Sequence, residues 1–220
     1  MATDNAKAPK QQIESAKKPE DLPIRALVGL GNPGRKYAET RHNVGWLVIE
    51  ALAQKASGGA SGPGWSAKFN GEFSKLRLGT LDVWALKPGT FMNLSGHPTQ
   101  AMCAFYGVAP GEVLVIHDDL DLPFGKVQIK SGGGHGGHNG LRSLVAQLAS
   151  PAFVRVRVGV GRPAGGKASD NDVADHVLAP FSPLERADLP RVVELARDAV
   201  VAVLEQGVRA AMNRINAPQK

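Results

Sequence analysis

The chain has 220 residues, which is enough for one domain with a substantial core. Hydrophobic residues make up 43% and charged residues 21% of the sequence, an ordinary globular composition, and no run of 18 apolar residues predicts a membrane span. A single cysteine, Cys103, excludes an intramolecular disulfide framework and a Cys-rich zinc site, and it suits a reducing, cytoplasmic location.

Residues 1–22 are predicted to be a disordered extension ahead of one α/β domain at 23–220. The extension lacks the apolar stretch of a secretion signal, and its acidic residues argue against a transit peptide. Its four lysines balance its four acidic residues, so the formal net charge of +6 belongs to the body of the protein. This charge favours an anionic partner such as nucleic acid.

The first half of the chain predicts alternating strands and helices. The expected elements are a buried strand over 24–30, a helix over 43–56, a flexible Gly/Ser loop over 57–64, a strand pair over 71–88 and a helix over 95–107. The strand pair turns around Gly79-Thr80, so the sheet is expected to be mixed rather than purely parallel.

The second half continues the alternation around a glycine-rich stretch. Strands are predicted over 112–120, 125–131 and 153–161, with irregular structure over 132–140 and a helix over 141–149. The sequence "SPLE" at 182–185 is a helix start, Pro190 is expected to interrupt that helix, and a second helix is expected over 191–207. The order predicts a single α/β domain whose twisted mixed sheet carries helices on both faces.

The stretch "GLGNPG" (29–34) has the glycine spacing of a dinucleotide-binding turn, which requires a helix to begin at once. Here "RKYAETRH" separates Gly34 from the helical pattern, and the expected sugar-binding acid is missing, since Glu50 lies within the helix. A nicotinamide dehydrogenase is therefore disfavoured. Asn32 is left exposed at the end of the first strand.

Polar residues gather in several loops and strand ends, which is where α/β sheets build their sites. They are His42 in "TRHNVGW", Asn93 in "FMNLSG", Asp118 in "HDDLDLP", and His138 with Asn139 in "GGHGGHNG". These residue types allow a metal-free hydrolase in which a histidine activates water, a carboxylate orients the histidine, and asparagine amides stabilise an oxyanion.

Other chemistries fit less well. No G-x-S-x-G elbow supports a serine nucleophile, and Cys103 lies in an apolar helix. A metal site is disfavoured because neighbouring His117 and Asp118 point to opposite faces of a strand, and the loop that holds His135 and His138 is too pliant. No metal and no cofactor are expected.

The motifs "VGLGNPGRKYAETRHNVGW", "FMNLSG", "HDDLDLPFGKVQIKSGGGHGGHNGLRSL" and "RVRVGVGRP" resemble those of the bacterial-type peptidyl-tRNA hydrolases, from about Ile24 to Asn216. The resemblance implies hydrolysis of the ester that joins a peptidyl group to the tRNA 3′ ribose, by a monomeric enzyme without a cofactor. The partner it implies is peptidyl-tRNA.

The resemblance also implies roles for individual residues. His42 matches the catalytic base, Asp118 the carboxylate that orients it, and Asn32 an amide that holds the substrate carbonyl. The remaining positions match the binding cleft for the peptide and the tRNA acceptor end: Tyr37, Phe91, Asn93, His138, Asn139, and the basic Lys130 and Arg157 for the 5′ phosphate.

One alternative from another class stays open at this point, a non-catalytic RNA-binding protein on the same fold. It is distinguished by loss of the histidine, the aspartate and the two asparagines, and all four are present here.

Overall fold

The computed structural model describes residues 18–58, 64–163 and 169–218, and within these ranges it contains one seven-stranded mixed sheet. The strands are β1 (Ala26–Gly29), β2 (Ser66–Lys68), β3 (Gly71–Leu78), β4 (Leu81–Pro88), β5 (Val113–Asp119), β6 (Val127–Ser131) and β7 (Val154–Gly159). Their order across the sheet is β2-β3-β4-β1-β5-β7-β6. The four central strands β4, β1, β5 and β7 are parallel, whereas β2, β3 and β6 run antiparallel to their neighbours.

Helices cover both faces of the sheet, as the sequence predicted. They are α1 (Val44–Ala56), α2 (Gly96–Tyr106), α3 (Asn139–Gln147), α4 (Asp170–Leu178), α5 (Pro183–Gln206) and α6 (Val208–Ile215). Helices α1, α5 and α6 contribute to one hydrophobic core, and α2 and α3 contribute to the other. The parallel strands are buried on both sides, which explains why β1 reads as a continuous apolar run. None of the described helices combines the length and the apolar character needed to cross a membrane.

The prediction that Pro190 interrupts the C-terminal helix is wrong. Helix α5 runs from Pro183 to Gln206 with Pro190 inside it, on its exposed side. A proline in a helix interior costs about 3 kcal/mol. Burial of Val192, Val200 and Val203 against the sheet outweighs this cost, since each buried valine contributes about 1.5–3 kcal/mol.

Sequence reasoning also missed three short elements, β2, α4 and α6. Strand β2 has only three residues, at the edge of the sheet, so its alternation is too short to detect. Helix α4 has only nine residues, of which Val177 is the one buried residue, so its helical periodicity is weak. Helix α6 directly follows Gly207, where the predicted second helix ends.

The glycines of "GLGNPG" serve close packing in addition to the turn. A Cβ at Gly29 would lie 2.4 Å from the Gly45 carbonyl oxygen, and one at Gly31 would lie 2.7 Å from the Trp46 ring. Only Gly34 adopts a positive φ, of 104°. The stretch therefore brings β1 against the start of α1, which begins ten residues after Gly34.

The predicted extension and the predicted Gly/Ser loop lie partly outside the described residues, which exclude 1–17 and 59–63. Of the extension, Pro19–Asp21 forms a 3-10 turn. The Ser131 hydroxyl donates to the Glu20 carboxylate over 2.9 Å, and Asp21 pairs with Arg209 at 3.0 Å. The last residues before the predicted boundary at 22 thus contact the body of the protein.

The strand order has a topological switch point at β1, where connections leave to opposite sides of the strand. The chain reaches β4 on one side of β1 and β5 on the other, and all three are parallel. Their carboxyl ends meet at one edge, with a crevice between the loops that follow, which is the usual place for a site in an open α/β sheet.

Candidate active site

A cleft of about 940 Å³ opens at this edge of the sheet. The loops after β1, β4 and β5 line it, together with β6, β7 and the glycine-rich segment before α3. All ten residues that the sequence singled out lie along this one cleft: Asn32, Tyr37, His42, Phe91, Asn93, Asp118, Lys130, His138, Asn139 and Arg157. Their roles stay predictions, but the fold brings them together.

The centre of the cleft is a carboxylate between two imidazoles. Asp118 lies at the end of β5, and its Oδ1 is 2.8 Å from His42 Nδ1 and 3.0 Å from His138 Nε2. His42 is held in a 3-10 turn, Arg41–Asn43, that leads directly into α1. The two imidazole rings are 4.9 Å apart between centroids.

The hydrogen bonds determine which nitrogens carry protons. His138 Nδ1 accepts from the backbone N–H groups of Gly140 and Leu141 and thereby caps α3, so its proton is on Nε2, which donates to Asp118. An ionised Asp118 only accepts, and therefore His42 donates to it from Nδ1. The lone pair of His42 Nε2 is left for a substrate or a water molecule.

The electrostatics favour this arrangement. Burial raises the pKa of Asp118, but His42 and His138 outweigh burial and hold that pKa well below its ordinary value. Burial lowers the pKa of His42, and the charge and hydrogen bond of Asp118 outweigh it, so the net shift is upward. Asp118 thus stays ionised and favours the imidazolium that His42 forms when it takes a proton.

His117 lies beside Asp118 but takes no part in proton transfer. Burial, followed by the nearby His138, lowers the pKa of His117 to about 3, so this ring stays neutral. Its Nδ1 contacts the Asp118 carbonyl oxygen at 2.6 Å. We therefore assign no proton transfer to His117.

The prediction that Asn32 is exposed is wrong, because this residue is 5% exposed and is held by hydrogen bonds to Met92 and Asn43. Its Oδ1 accepts from the Met92 backbone N–H over 2.7 Å, which leaves the two N–H donors of its amide for the cleft. Asn43, which the sequence analysis left without a role, exchanges two hydrogen bonds with the Asn32 backbone at 2.9 and 3.0 Å. The only sequence signal for Asn43 is its position beside His42 in "TRHN".

Aromatic and amide groups border the cleft beside Asn32. Tyr37 and Phe91 pack edge to face with ring centroids 6.3 Å apart, and Phe91 is 55% exposed. Asn93 is exposed two residues after Phe91. Asn139 begins α3 and accepts from Arg142 through its Oδ1 at 3.2 Å, so its amide N–H groups stay available.

Lys130 and Arg157, the two residues predicted to bind the 5′ phosphate, differ in their surroundings. Lys130 is exposed and makes no ion pair within the described part of the chain. Arg157 pairs with Asp119 at 2.7 Å and also donates to Gln128 at 3.2 Å, so part of its charge is neutralised. Lys130 is therefore the stronger of the two candidates for an anion.

Arg155, which the sequence analysis did not single out, holds the glycine-rich segment. It is 2% exposed and donates to the carbonyl oxygens of Gly133 and, at 2.6 Å, Gly134. These bonds tie the segment that leads to His138 to β7, the strand next to the edge of the sheet.

A metal could in principle use three of the central groups. Ligand atoms of His42, Asp118 and His138 all lie within 4.8 Å of one another. The sequence pattern indicated other pairs, His117 with Asp118 and His135 with His138, and did not reveal this trio. In the structure these atoms hydrogen-bond to each other, so an ion would have to displace both bonds. The expectation of a metal-free site stays a prediction.

Arg41 is a third residue that sequence reasoning missed. Its guanidinium pairs with Glu185 at 2.6 Å and donates to the carbonyl oxygens of His176, Ala179 and Pro180. Both side chains are largely buried, at 9% and 18% exposure. Arg41 thereby ties the turn that carries His42 to α4 and α5.

We expect Arg41→Ala to lower the free energy of unfolding by about 3 kcal/mol, because it leaves a buried carboxylate unpaired. Urea denaturation measures this loss. The control is Arg186→Ala, whose pair with Glu39 is more than half exposed on both sides and should contribute at most about 1 kcal/mol. Equal losses in the two variants would contradict the assignment.

Comparison with known proteins identifies the family of this site. The model of the peptidyl-tRNA hydrolase family matches residues 26–220. A curated peptidyl-tRNA hydrolase of Nocardia farcinica is 46% identical over 190 residues, which cover 86% of this chain and 95% of the relative. One of Geobacter is 45% identical over 205 residues, which cover 89% of this chain and 100% of the relative.

The fold agrees with solved structures as well. A crystal structure of peptidyl-tRNA hydrolase from Acinetobacter baumannii superimposes with a TM-score of 0.80 at 37% identity, covering 93% of this chain and 99% of that one. A single mixed sheet with helices on both faces is thus common to both proteins.

Proposed function

The chain belongs to the peptidyl-tRNA hydrolase family, and we propose that it hydrolyses the ester between a peptidyl group and the 3′ ribose of tRNA, releasing tRNA for reuse in translation. The observation that carries this proposal is the His42–Asp118 hydrogen bond of 2.8 Å, which leaves His42 Nε2 open to the cleft. The family resemblance predicts a monomer, and the single cysteine is consistent with a cytoplasmic location.

The geometry supports a single hydrolytic step. His42 Nε2 takes a proton from water while the water oxygen attacks the ester carbonyl. The amide N–H groups of Asn32 donate to the oxyanion as it forms. The imidazolium, stabilised by Asp118, returns the proton to the departing 3′ oxygen of the ribose, which leaves a free peptide acid and intact tRNA.

The direct test is release of peptide from peptidyl-tRNA by the purified protein, with EDTA present and free aminoacyl-tRNA as the comparison substrate. We expect turnover of the peptidyl substrate that EDTA does not reduce. Binding of tRNA without turnover would favour the non-catalytic RNA-binding alternative, and loss of turnover in EDTA would show that the His42, Asp118 and His138 cluster uses a metal.

We expect Lys130→Ala to raise KM for peptidyl-tRNA and to flatten its salt dependence by about one unit of the log–log slope, because one phosphate contact is lost. KM measured across a series of KCl concentrations gives the slope. Lys126→Ala is the matched control, since Lys126 is exposed just before the same strand and does not line the cleft. An unchanged slope in the Lys130 variant would remove this residue from the phosphate site.

A further inference from the structure

The glycine-rich segment between β6 and α3 is loosely packed against the rest of the protein. It comprises residues 132–138, of which five are glycines. A Cβ placed on Gly134, Gly136 or Gly137 would meet no heavy atom within 4 Å beyond its own chain neighbours. Glycine also allows more backbone conformations than any other residue. The path of this segment therefore depends on a small number of hydrogen bonds.

Arg155 on β7 supplies two of these hydrogen bonds. Its guanidinium donates to the carbonyl oxygens of Gly133 and, at 2.6 Å, Gly134. Among the described residues, it is the one side chain outside the segment that hydrogen-bonds to residues 133–137. The guanidinium carbon also lies 4.7 Å from the centre of the Phe153 ring, a cation–π contact that orients the side chain.

The surroundings of Arg155 indicate why a cation is placed there. The side chain is buried, and it forms no ion pair with any carboxylate of the described ranges. Burying a charge is costly unless hydrogen bonds compensate it, and here the two glycine carbonyl oxygens do so. Packing of the sheet alone requires no charge at this position. The guanidinium therefore serves the segment that it holds.

The carbonyl groups held by Arg155 lie close to His138 along the chain. Gly134 precedes His138 by four residues, and the chain between them forms a turn. The His138 N–H donates to the His135 carbonyl oxygen over 2.9 Å, and the Gly137 N–H donates to His135 Nδ1 over 3.1 Å. Because this connection is short and hydrogen-bonded, a displacement of Gly134 also displaces His138.

His138 matters to the catalytic centre because it is the second donor to Asp118. Its Nε2 lies 3.0 Å from the same oxygen, Oδ1, that accepts from His42. Burial opposes the charge of Asp118, so each donor helps to keep this carboxylate ionised and in place. Without His138, His42 is the remaining donor to Asp118 in the part of the chain that the structure describes.

We propose that Arg155 is a positioning residue for the hydrolytic step, and that it holds the glycine-rich segment so that His138 stays bound to Asp118. Arg155 makes no hydrogen bond to His42 or Asp118, so it acts on the rate of the chemical step through His138. This inference rests on the proposed function, and it adds a residue outside the proton-transfer pair.

The test is a double-mutant cycle on turnover of peptidyl-tRNA. Arg155→Met removes both donors, and His138→Asn removes the imidazole but keeps a residue type that caps helices well. We expect each single variant to lower kcat by about tenfold, with KM within about threefold of wild type. The double variant should lie within about twofold of the slower single variant, because both act on one contact. A loss of about a hundredfold, the product of two independent effects, would overturn the positioning role.

Arg25→Met is the matched control for a general loss of structure. Arg25 also donates to backbone carbonyl oxygens, those of Tyr106 at 3.1 Å and Gly107 at 2.7 Å. It precedes β1, at the opposite edge of the sheet, and does not line the cleft. We expect kcat of this variant to equal that of wild type, and an equal loss in the Arg25 and Arg155 variants would contradict the proposal.

Arg155→Lys tests rescue by a conservative change. A lysine keeps the charge but not the two-pronged geometry of the guanidinium, so we expect a smaller loss of kcat than in Arg155→Met. An equal or larger loss would count against the positioning role. Arg155→Lys also carries the double-mutant cycle if Arg155→Met does not fold.

A measurement independent of turnover follows the His138 side chain itself. The Nε2 proton of His138 is held in the hydrogen bond to Asp118, and NMR can record its exchange with water. We expect this exchange to accelerate by about tenfold in the Arg155 variants and to be unchanged in Arg25→Met. Unchanged exchange in the Arg155 variants would overturn the positioning role while leaving the hydrolase function intact. A wild-type protein that cleaves no peptidyl-tRNA would overturn the proposed function, and with it the kinetic role of Arg155, even where the exchange rates follow the expectation.

Discussion

His42→Ala is expected to lower turnover of peptidyl-tRNA by about 10²–10⁴, with affinity for tRNA largely kept. His42 Nδ1 is bound to Asp118 at 2.8 Å, and its Nε2 is the nitrogen left with a free lone pair. Without this imidazole, water has no base beside the ester, whereas the basic residues at the other end of the cleft are untouched. Single-turnover release of peptide and equilibrium binding of tRNA measure the two effects separately.

His135→Ala is the matched control for this prediction. His135 lines the same cleft, but its Nδ1 accepts only from the Gly137 backbone at 3.1 Å, and it does not contact Asp118. Its loss should leave turnover within a fewfold of wild type. Near-normal turnover in the His42 variant, or an equal loss in both, would show that His42 is not the base.

Asp118→Asn is expected to lower turnover by about 10²–10⁴ through the charge beside His42. Both imidazoles donate to Asp118 Oδ1, so an asparagine can keep its oxygen between them. The asparagine is neutral, however, and no longer stabilises the imidazolium that His42 forms when it takes a proton from water. Aspartate and asparagine have nearly the same volume, so the substitution keeps the packing around this side chain, which is 2% exposed.

The pH profile distinguishes this electrostatic role from simple packing. The pKa of His42 lies above its ordinary value, and the neutral form is the base, so kcat/KM should fall as pH decreases through that raised pKa. In Asp118→Asn the burial that lowers the pKa persists while the raising contributions are lost. The acid limb should therefore move to lower pH, and a limb that stays in place would contradict the role of Asp118.

Much of the fold could be read from local pattern. The strand at β1, the hairpin of β3 and β4 and the helix α1 have clear periodicity, and the structure has them within a few residues of the predicted bounds. The helix predicted at 141–149 begins earlier, at Asn139, because the His138 side chain caps it, and histidine is not among the usual capping residues. Pro190 shows the opposite case, where packing overrides a strong local signal.

By itself, the sequence determined the α/β class, the family resemblance and the ten residues that were candidates for the site. The tertiary structure alone decided that β1 lies between β4 and β5, and this order brings His42 to Asp118, 76 residues apart in the chain. It also decided the protonation of the two histidines. Periodicity and motifs report contacts between near neighbours, whereas strand order, burial and hydrogen-bond partners depend on residues that are distant in the chain.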